Sequence, residues 1–191
     1  MPASATSRRS VDVVVEIPRG SRAKYEMDHR TGRIRLDRVL YSSVHYPADY
    51  GYIEGTLAGD GDPLDVLVVV EEPTFPGCLV EARPIGTLIT TDKQGEDQKI
   101  LAVPLGDPRL SRIRALRELA PHWLREIETF FATYKMLERD VAQLDGWRGP
   151  NTAWRLIEEA RARHARARAG TLRRDGGGGP ARASRTRRGS G

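Results

Sequence analysis

The feature that most constrains this chain is Asp60-Gly61-Asp62-Pro63-Leu64-Asp65, three carboxylates within six residues, followed at once by Val66-Leu67-Val68-Val69-Val70. The second segment is a fully apolar run of strand length, so the acidic residues sit on a turn that feeds a rigid element. Gly61 lets the backbone turn tightly and Pro63 fixes a dihedral. Three like charges are thereby held together at a cost that bound cations would offset, which makes a hard divalent ion the natural partner.

A solvated acidic turn is the plain alternative for a bare cluster of three Asp. An EF-hand is a second alternative, because Asp60 and Asp62 fit its first ligand positions and Glu71 its twelfth. It fails at Leu64 and Asp65, which occupy positions that want a ligand and a Gly, and the following residues read as strand where a helix is required. Zinc is disfavoured, since the four His are scattered and Cys78 stands alone. Ligation by oxygen alone leaves Mg²⁺, Mn²⁺ or Ca²⁺.

Elsewhere, Val11, Val13, Val15 and Ile17 alternate with Asp12, Val14 and Glu16, the period of a strand with one face buried, and Pro18-Arg19-Gly20 ends it. Residues 25–28 and 34–37 predict a strand pair joined by the turn His29-Arg30-Thr31-Gly32. Further strands are expected at 79–83, 85–90 and 100–103. After Asp107 the pattern changes: Trp123, Ile127, Phe130 and Tyr134, joined by Leu124 and Phe131, define one apolar helical face. A second helix is expected to start near Asn151, a good N-cap, and to run through Trp154 and Ile157. Many short strands with Gly and Pro punctuation, then helices, read as a small β-barrel with helices packed on it. There is no internal repeat.

Several segments now agree in order. The signature Asp60 to Leu67 resembles that of the family I soluble inorganic pyrophosphatases. So do Val15-Glu16-Ile17-Pro18, Lys24-Tyr25-Glu26, Asp37-Arg38, Tyr46-Pro47-Ala48-Asp49-Tyr50-Gly51-Tyr52, Arg83-Pro84-Ile85-Gly86, Asp92 with Gly95-Glu96-Asp97-Gln98-Lys99, and Phe130-Phe131-Ala132-Thr133-Tyr134-Lys135. The resemblance covers about residues 10 to 160. It implies an α+β, β-dominated fold, an OB-like five-stranded β-barrel with flanking C-terminal helices, that hydrolyses inorganic pyrophosphate to two orthophosphates in a bacterial-type, homohexameric enzyme. It implies Mg²⁺ as cofactor, several ions per site, with Mn²⁺ or Zn²⁺ as substitutes. Asp60, Asp65 and Asp97 are then expected to bind one ion, Asp65 to touch a second, and Asp92 with Asp97 to hold one that arrives with substrate. Glu16 and Glu26 complete the metal shell, and Asp62 is the general base to the attacking water. Lys24, Arg38, Lys99 and Lys135, with the hydroxyls of Tyr50 and Tyr134, are the matching substrate positions, Tyr50 also counting as catalytic. The chain has only four Lys, at 24, 93, 99 and 135, and three of them are substrate positions on this reading. His45 has no assigned role.

The pattern departs from the family after Glu138, where Arg139-Asp140-Val141 replaces a Gly-Lys and a second nearby Lys; Arg139 is a partial substitute. The expected organisation is an N-terminal segment 1–9 without order, a pyrophosphatase domain 10–168 and a disordered Arg/Gly/Ser-rich tail 169–191. From Arg161 on, ten Arg face the single Asp175, so against a whole-chain charge of +5 the preceding residues are mildly acidic and the high pI belongs to the tail. Such a tail can attract nucleic acid weakly and non-specifically. The rival from another class is a non-enzymatic OB-type nucleic-acid-binding module, and a third reading is an inactive family member. The rival needs aromatics among basic residues on the strands, and these strands carry carboxylates instead. No stretch has the length and apolarity of a membrane span or signal peptide, and one Cys allows no intrachain disulfide, so a cytoplasmic setting without membrane contact is expected.

Overall fold

The computed structural model describes residues 9–92, 95–138 and 143–175, without the side chains of Asp92 and residues 170–175. Residues 1–8, Lys93, Arg139 and the tail from 176 lie outside them. Eight strands and two helices follow one another: β1 Val11–Ile17, β2 Ala23–Asp28, β3 Arg33–Val39, β4 Asp49–Ile53, β5 Asp65–Val68, β6 Leu79–Asp92, β7 Gly95–Pro104, α1 Pro121–Thr133, β8 Gln143–Arg148 and α2 Pro150–Asp175.

The sheet closes on itself. Strands pair in the order β1-β4-β5-β7-β6, and β6 pairs back onto β1, which makes the expected five-stranded OB-like barrel. All pairings in the ring are antiparallel except β5 with β7, which is parallel with Val66 opposite Ile100. β2 and β3 form a separate hairpin.

The apolar run after the acidic turn is explained by burial on both sides. Val66, Val68 and Val70 join Val11, Val13, Val15 and Ile100 against Ala153, Leu156, Ile157 and Ala160 of α2. Leu67 and Val69 join Ile85, Leu88, Leu101 and Val103 against Ile127, Phe130 and Phe131 of α1. The wall of the barrel is thus packed by one helix on each of its two apolar surfaces.

The segments 79–83 and 85–90, expected as two strands, are one strand of 14 residues. Pro84 does not break it, because one edge of β6 changes partner there. Residues 79–82 pair with β1 and residues 87–91 with β8, and the register against β7 also shifts between Pro84 and Gly86. A residue without an N–H is tolerated at such a bulge. β4 and β8 were not expected from the pattern, and β7 is longer than the expected 100–103. α2 starts at Pro150, whose ring suits the first helical position, so Asn151 lies inside the first turn rather than before it. The helix runs to Asp175. Among the described residues no helix is long and apolar enough to cross a membrane.

Gly51 marks the tightest approach in the barrel. A Cβ there would stand 2.0 Å from the Val14 carbonyl oxygen on the neighbouring strand. Gly51→Ala must therefore push β1 from β4. Thermal unfolding should show a loss of about 2 kcal/mol or more, a fall in Tm of several degrees; an unchanged Tm would contradict the close contact.

Candidate active site

Two irregularities in the strands aim charged side chains. In β1 the register against β4 shifts between Val15 and Ile17, which leaves Glu16 as the extra residue opposite the Gly51–Tyr50 step. In the hairpin it shifts between Lys24 and Tyr25, which leaves Asp37 as the extra residue of β3. Bulges of this kind re-aim one side chain without ending the strand. The acidic turn is a third device: Gly61 takes φ 100°, a conformation L side chains rarely adopt, and the Asp62 N–H donates to Asp60 Oδ1 at 3.1 Å.

These elements meet around a cavity of about 260 Å³ lined by Glu16, Lys24, Glu26, Tyr50, Asp60, Asp62 and Asp65, with Tyr25, Met27, His29, Tyr52 and Pro63. Residues from four separate parts of the chain therefore line one cavity. Asp97 and Lys99 join through Asp65. One residue back from the Val66–Ile100 pairing, Asp65 and Lys99 are neighbours across parallel strands. Lys99 Nζ donates to Asp65 Oδ2 and Asp97 Oδ2, both at 2.8 Å, and to the Tyr50 hydroxyl at 3.2 Å, and the Tyr50 hydroxyl donates to Asp65. Lys99 is only 4% exposed. Burial works against its charge, but Asp65 and Asp97 outweigh it and hold the ammonium protonated well above its ordinary range. Burial, Asp65 and Asp97 likewise push the Tyr50 hydroxyl far up, so it remains a donor.

The outer cationic group is tied by Asp37. Its carboxylate meets Arg38 at 2.5 Å and Lys24 at 3.4 Å, Lys24 also pairs with Glu26, and Arg38 Nη2 reaches Glu138 at 3.0 Å. Tyr134 stacks on Phe130 at 4.9 Å and packs edge-on against Phe131, while Lys135 Nζ lies 5.6 Å from the Tyr134 ring. Tyr134 and Lys135 follow α1 and do not line the cavity itself. The backbone of Asp92 ends β6 opposite Gly95, and its side chain lies outside the described residues.

The pattern did not single out Asp37, Glu138, His29 and Tyr52 as site residues. His29 packs edge-on against Tyr52 at 5.2 Å, and its position in the hairpin turn was the only sequence signal it gave. Asp49 is fully buried for a structural reason, accepting from the Arg19 N–H at 2.7 Å and from Thr74.

The donor set is all oxygen, which suits a hard divalent ion. Among the described residues no three acidic or His side chains are gathered around one point. The carboxylates are turned onto internal partners instead: Asp65 and Asp97 onto Lys99, and Glu16 onto the Met27 N–H at 2.6 Å. Binding an ion at Asp65 and Asp97 means trading part of the ammonium's contact for it. Two carboxyl groups are held above their ordinary range, mainly by burial. Burial, helped by Asp65 and Glu26, raises the Glu16 carboxyl to about 7, and burial with Asp60 and Asp65 raises Asp62, whose carboxylate has no hydrogen-bond partner among the described residues.

Comparison with known proteins agrees with this geometry. Residues 13–165 match the family model described as inorganic pyrophosphatase. The chain is 51% identical over 151 residues to an inorganic pyrophosphatase of Streptomyces coelicolor, covering 78% of this chain and 92% of that one. It is 47% identical over 160 residues to that of Geobacillus stearothermophilus, covering 84% and 97%. The crystal structure of inorganic pyrophosphatase from Thermus thermophilus superposes with a TM-score of 0.81 at 40% identity, covering 86% of this chain and 97% of that chain.

A folded-state pKa raised from 4.5 to about 7 means that Glu16 destabilises the metal-free fold once it ionises. The penalty is absent below about pH 4.5 and full above about pH 7. Glu16→Gln should therefore raise the Tm of the metal-free protein at pH 8, and the difference should vanish near pH 5. Equal Tm values at both pH values would show that Glu16 carries no such strain.

Proposed function

Since this chain belongs to the family I soluble inorganic pyrophosphatases, we propose that the acidic cavity is where it hydrolyses inorganic pyrophosphate to two orthophosphates. The observation that supports this most is the convergence of Glu16, Glu26, Asp60, Asp62 and Asp65 with Lys24 and Tyr50 on one cavity, backed by the Lys99 bridge to Asp97. The reading as a nucleic-acid-binding module is not favoured, because the concave face carries carboxylates, and a polyanionic strand would be repelled there.

In the proposed reaction a water attacks one phosphorus. Its proton passes to Asp62, the new P–O bond forms, and the bridging oxygen leaves with the second phosphate. Asp62 suits the base role because its proton affinity is raised and its carboxylate is free to face the water. Mg²⁺, when bound, supplies the positive charge that neutralises the phosphoryl oxygens and acidifies the water. Asp60, Asp65, Asp92 and Asp97 are the residues to hold it, with Glu16 and Glu26 completing the shell; Mn²⁺ and Zn²⁺ are the proposed substitutes. Arg38 offers a planar fork to a phosphate, and Lys24, Lys99 and Lys135 offer point charges. The Tyr134 hydroxyl donates to a phosphate oxygen, and so does that of Tyr50 once it gives up its bond to Asp65.

The same proposal includes a cytoplasmic setting and self-association, homohexameric by resemblance. Self-association is supported by Leu36, Val39, Tyr41, Met136 and Leu137, all large, apolar and more than half exposed except Val39 at 50%. The domain proper ends before the basic tail, which acts apart from catalysis through weak nucleic-acid contact.

Phosphate release from pyrophosphate, with and without Mg²⁺, tests the site. Asp65→Asn keeps an acceptor for Tyr50 but removes the charge. The expected loss is on the order of 10²–10³-fold, as for removal of one preorganised charge-stabilising group; equal rates in parent and variant would reject the site. Deleting residues 170–191 should leave Mg²⁺-dependent hydrolysis nearly unchanged, and a large loss would make the tail part of the enzyme.

A further inference from the structure

The loop from Glu54 to Leu64 carries Asp60 and Asp62 between β4 and β5, and it contains Gly55, Gly59 and Gly61. Such a loop has much freedom to lose, so what fixes it matters for the site. Its internal bonds are few. Thr56 Oγ1 donates to the Ile53 carbonyl at 2.5 Å and accepts from the Leu64 N–H at 2.9 Å, which ties the base. The Ala58 N–H donates to the Asp62 carbonyl at 2.7 Å, which ties the tip. At its base the loop is further held by the Glu54 N–H, which donates to the Asp12 carbonyl, and by the Leu64 carbonyl, which accepts from the Ile53 N–H of β4 at 3.0 Å. Beyond the base, the hydrogen bonds from the loop to the rest of the described chain both fall on one residue, Leu57. Its N–H donates to the Ala160 carbonyl of α2 at 3.1 Å. Its carbonyl accepts from Arg163 Nε at 2.8 Å.

We infer that Arg163 is a positioning residue: by holding the Leu57 carbonyl against α2 it sets the Asp60–Asp62 turn for divalent-ion binding. The inference rests on the reading of Asp60 as a metal ligand given above. Arg163 reaches the turn from behind, where it lines a second, small cavity of about 130 Å³ with Asp60, Glu96, Asp97 and Glu159. It makes no ion pair within 4.0 Å among the described residues, so the bond to Leu57 is its defined contact. Helix α2 thereby does more than cover the barrel wall. Ala160 and Arg163 follow one another by three positions, and the same helical face that buries Ala153, Leu156, Ile157 and Ala160 presents both groups to Leu57.

The sign of the effect separates positioning from charge. Arg163 is a cation beside carboxylates, so if it acted by Coulomb interaction alone, removing it would tighten the binding of a divalent ion. If it acts by positioning, removing it must weaken binding. Mn²⁺ titrations followed by electron paramagnetic resonance, without substrate, should be run on the full chain as parent, Arg163→Met, Arg163→Lys and Arg166→Met, the last an exposed arginine on the same helix. Mg²⁺ activation of pyrophosphate hydrolysis is measured in parallel.

The expected result is a five- to tenfold weaker Mn²⁺ affinity in Arg163→Met, on the order of the net worth of one hydrogen bond. The Mg²⁺ concentration for half-maximal hydrolysis should rise by the same factor, with kcat at saturating Mg²⁺ within about twofold of the parent. Arg163→Lys, which keeps a donor, should lie nearer the parent, and Arg166→Met should match it. Mn²⁺ affinity in Arg163→Met that equals or exceeds the parent's overturns the inference, as does an equal weakening in Arg166→Met. Should Arg163→Met fail to fold by circular dichroism, Arg163→Gln is judged by the same criterion. A parent that neither binds Mn²⁺ nor shows Mg²⁺-dependent hydrolysis sinks the catalytic reading of the cavity and this inference with it. An active parent matched by Arg163→Met sinks this inference alone.

Discussion

The arrangement depends on one buried cation. Lys99 lies on β7 with its ammonium between Asp65 and Asp97, and the Tyr50 hydroxyl closes the group. A lone ammonium taken out of water would be very unfavourable, and two close carboxylates with a hydroxyl acceptor offset that penalty. Aromatic surface completes the setting, since Lys99 Nζ lies 5.1 Å from the Phe131 ring and 5.6 Å from that of Tyr50. The contact exists because β5 and β7 are the parallel pair of the ring, which sets the last residue of the acidic turn beside Lys99. Backbone hydrogen bonds of the barrel thus fix the charge pattern of the cavity floor.

Departures from regular pairing carry the rest. Glu16 and Asp37 are the extra residues of two bulges, and each brings a carboxylate to the site. Glu16 takes a non-buried place in the alternation that buries Val11, Val13, Val15 and Ile17, and lines the cavity. Asp37 bridges Lys24 and Arg38. Tyr50 is placed by packing: its ring is 5.5 Å from Tyr46, which is 4.6 Å from Phe130 on α1. One helix therefore orients a cavity hydroxyl through two aromatic contacts.

Much of this was legible in the sequence, and the parts that were not share a cause. β1 and the β2–β3 hairpin could be read because alternation and turn residues are local signals, and α1 because its apolar face repeats at helical spacing. β4 has a Gly in its centre and β8 has Asp145-Gly146 in its own, so neither shows a clean period; both exist because neighbours pair with them. Pro84 reads as a break and becomes part of a continuous strand for the same non-local reason. At the site, the triple-Asp turn announced itself, and family blocks brought in Glu16, Lys24 and Asp97. That Lys99 would hold Asp65 and Asp97 together depends on the register of strands far apart in sequence, and no local pattern encodes it. Asp37, Glu138 and His29 escaped for the same reason.

The handover on β6 also bears on how the molecule is assembled. One strand closes the ring against β1 through residues 79–82 and extends the sheet toward β8 through residues 87–91. During synthesis β1 emerges first, yet its second edge stays unsatisfied until β6 has left the ribosome, and the parallel β5–β7 contact waits longer still. Pairings between distant segments pay their loop-closure entropy before they are rewarded, so ring closure is a late and slow event. A growing chain that already bears Asp60, Asp62 and Asp65 has acidic residues in solution but no catalytic cleft, and a competent centre arises only when the circle of strands is complete.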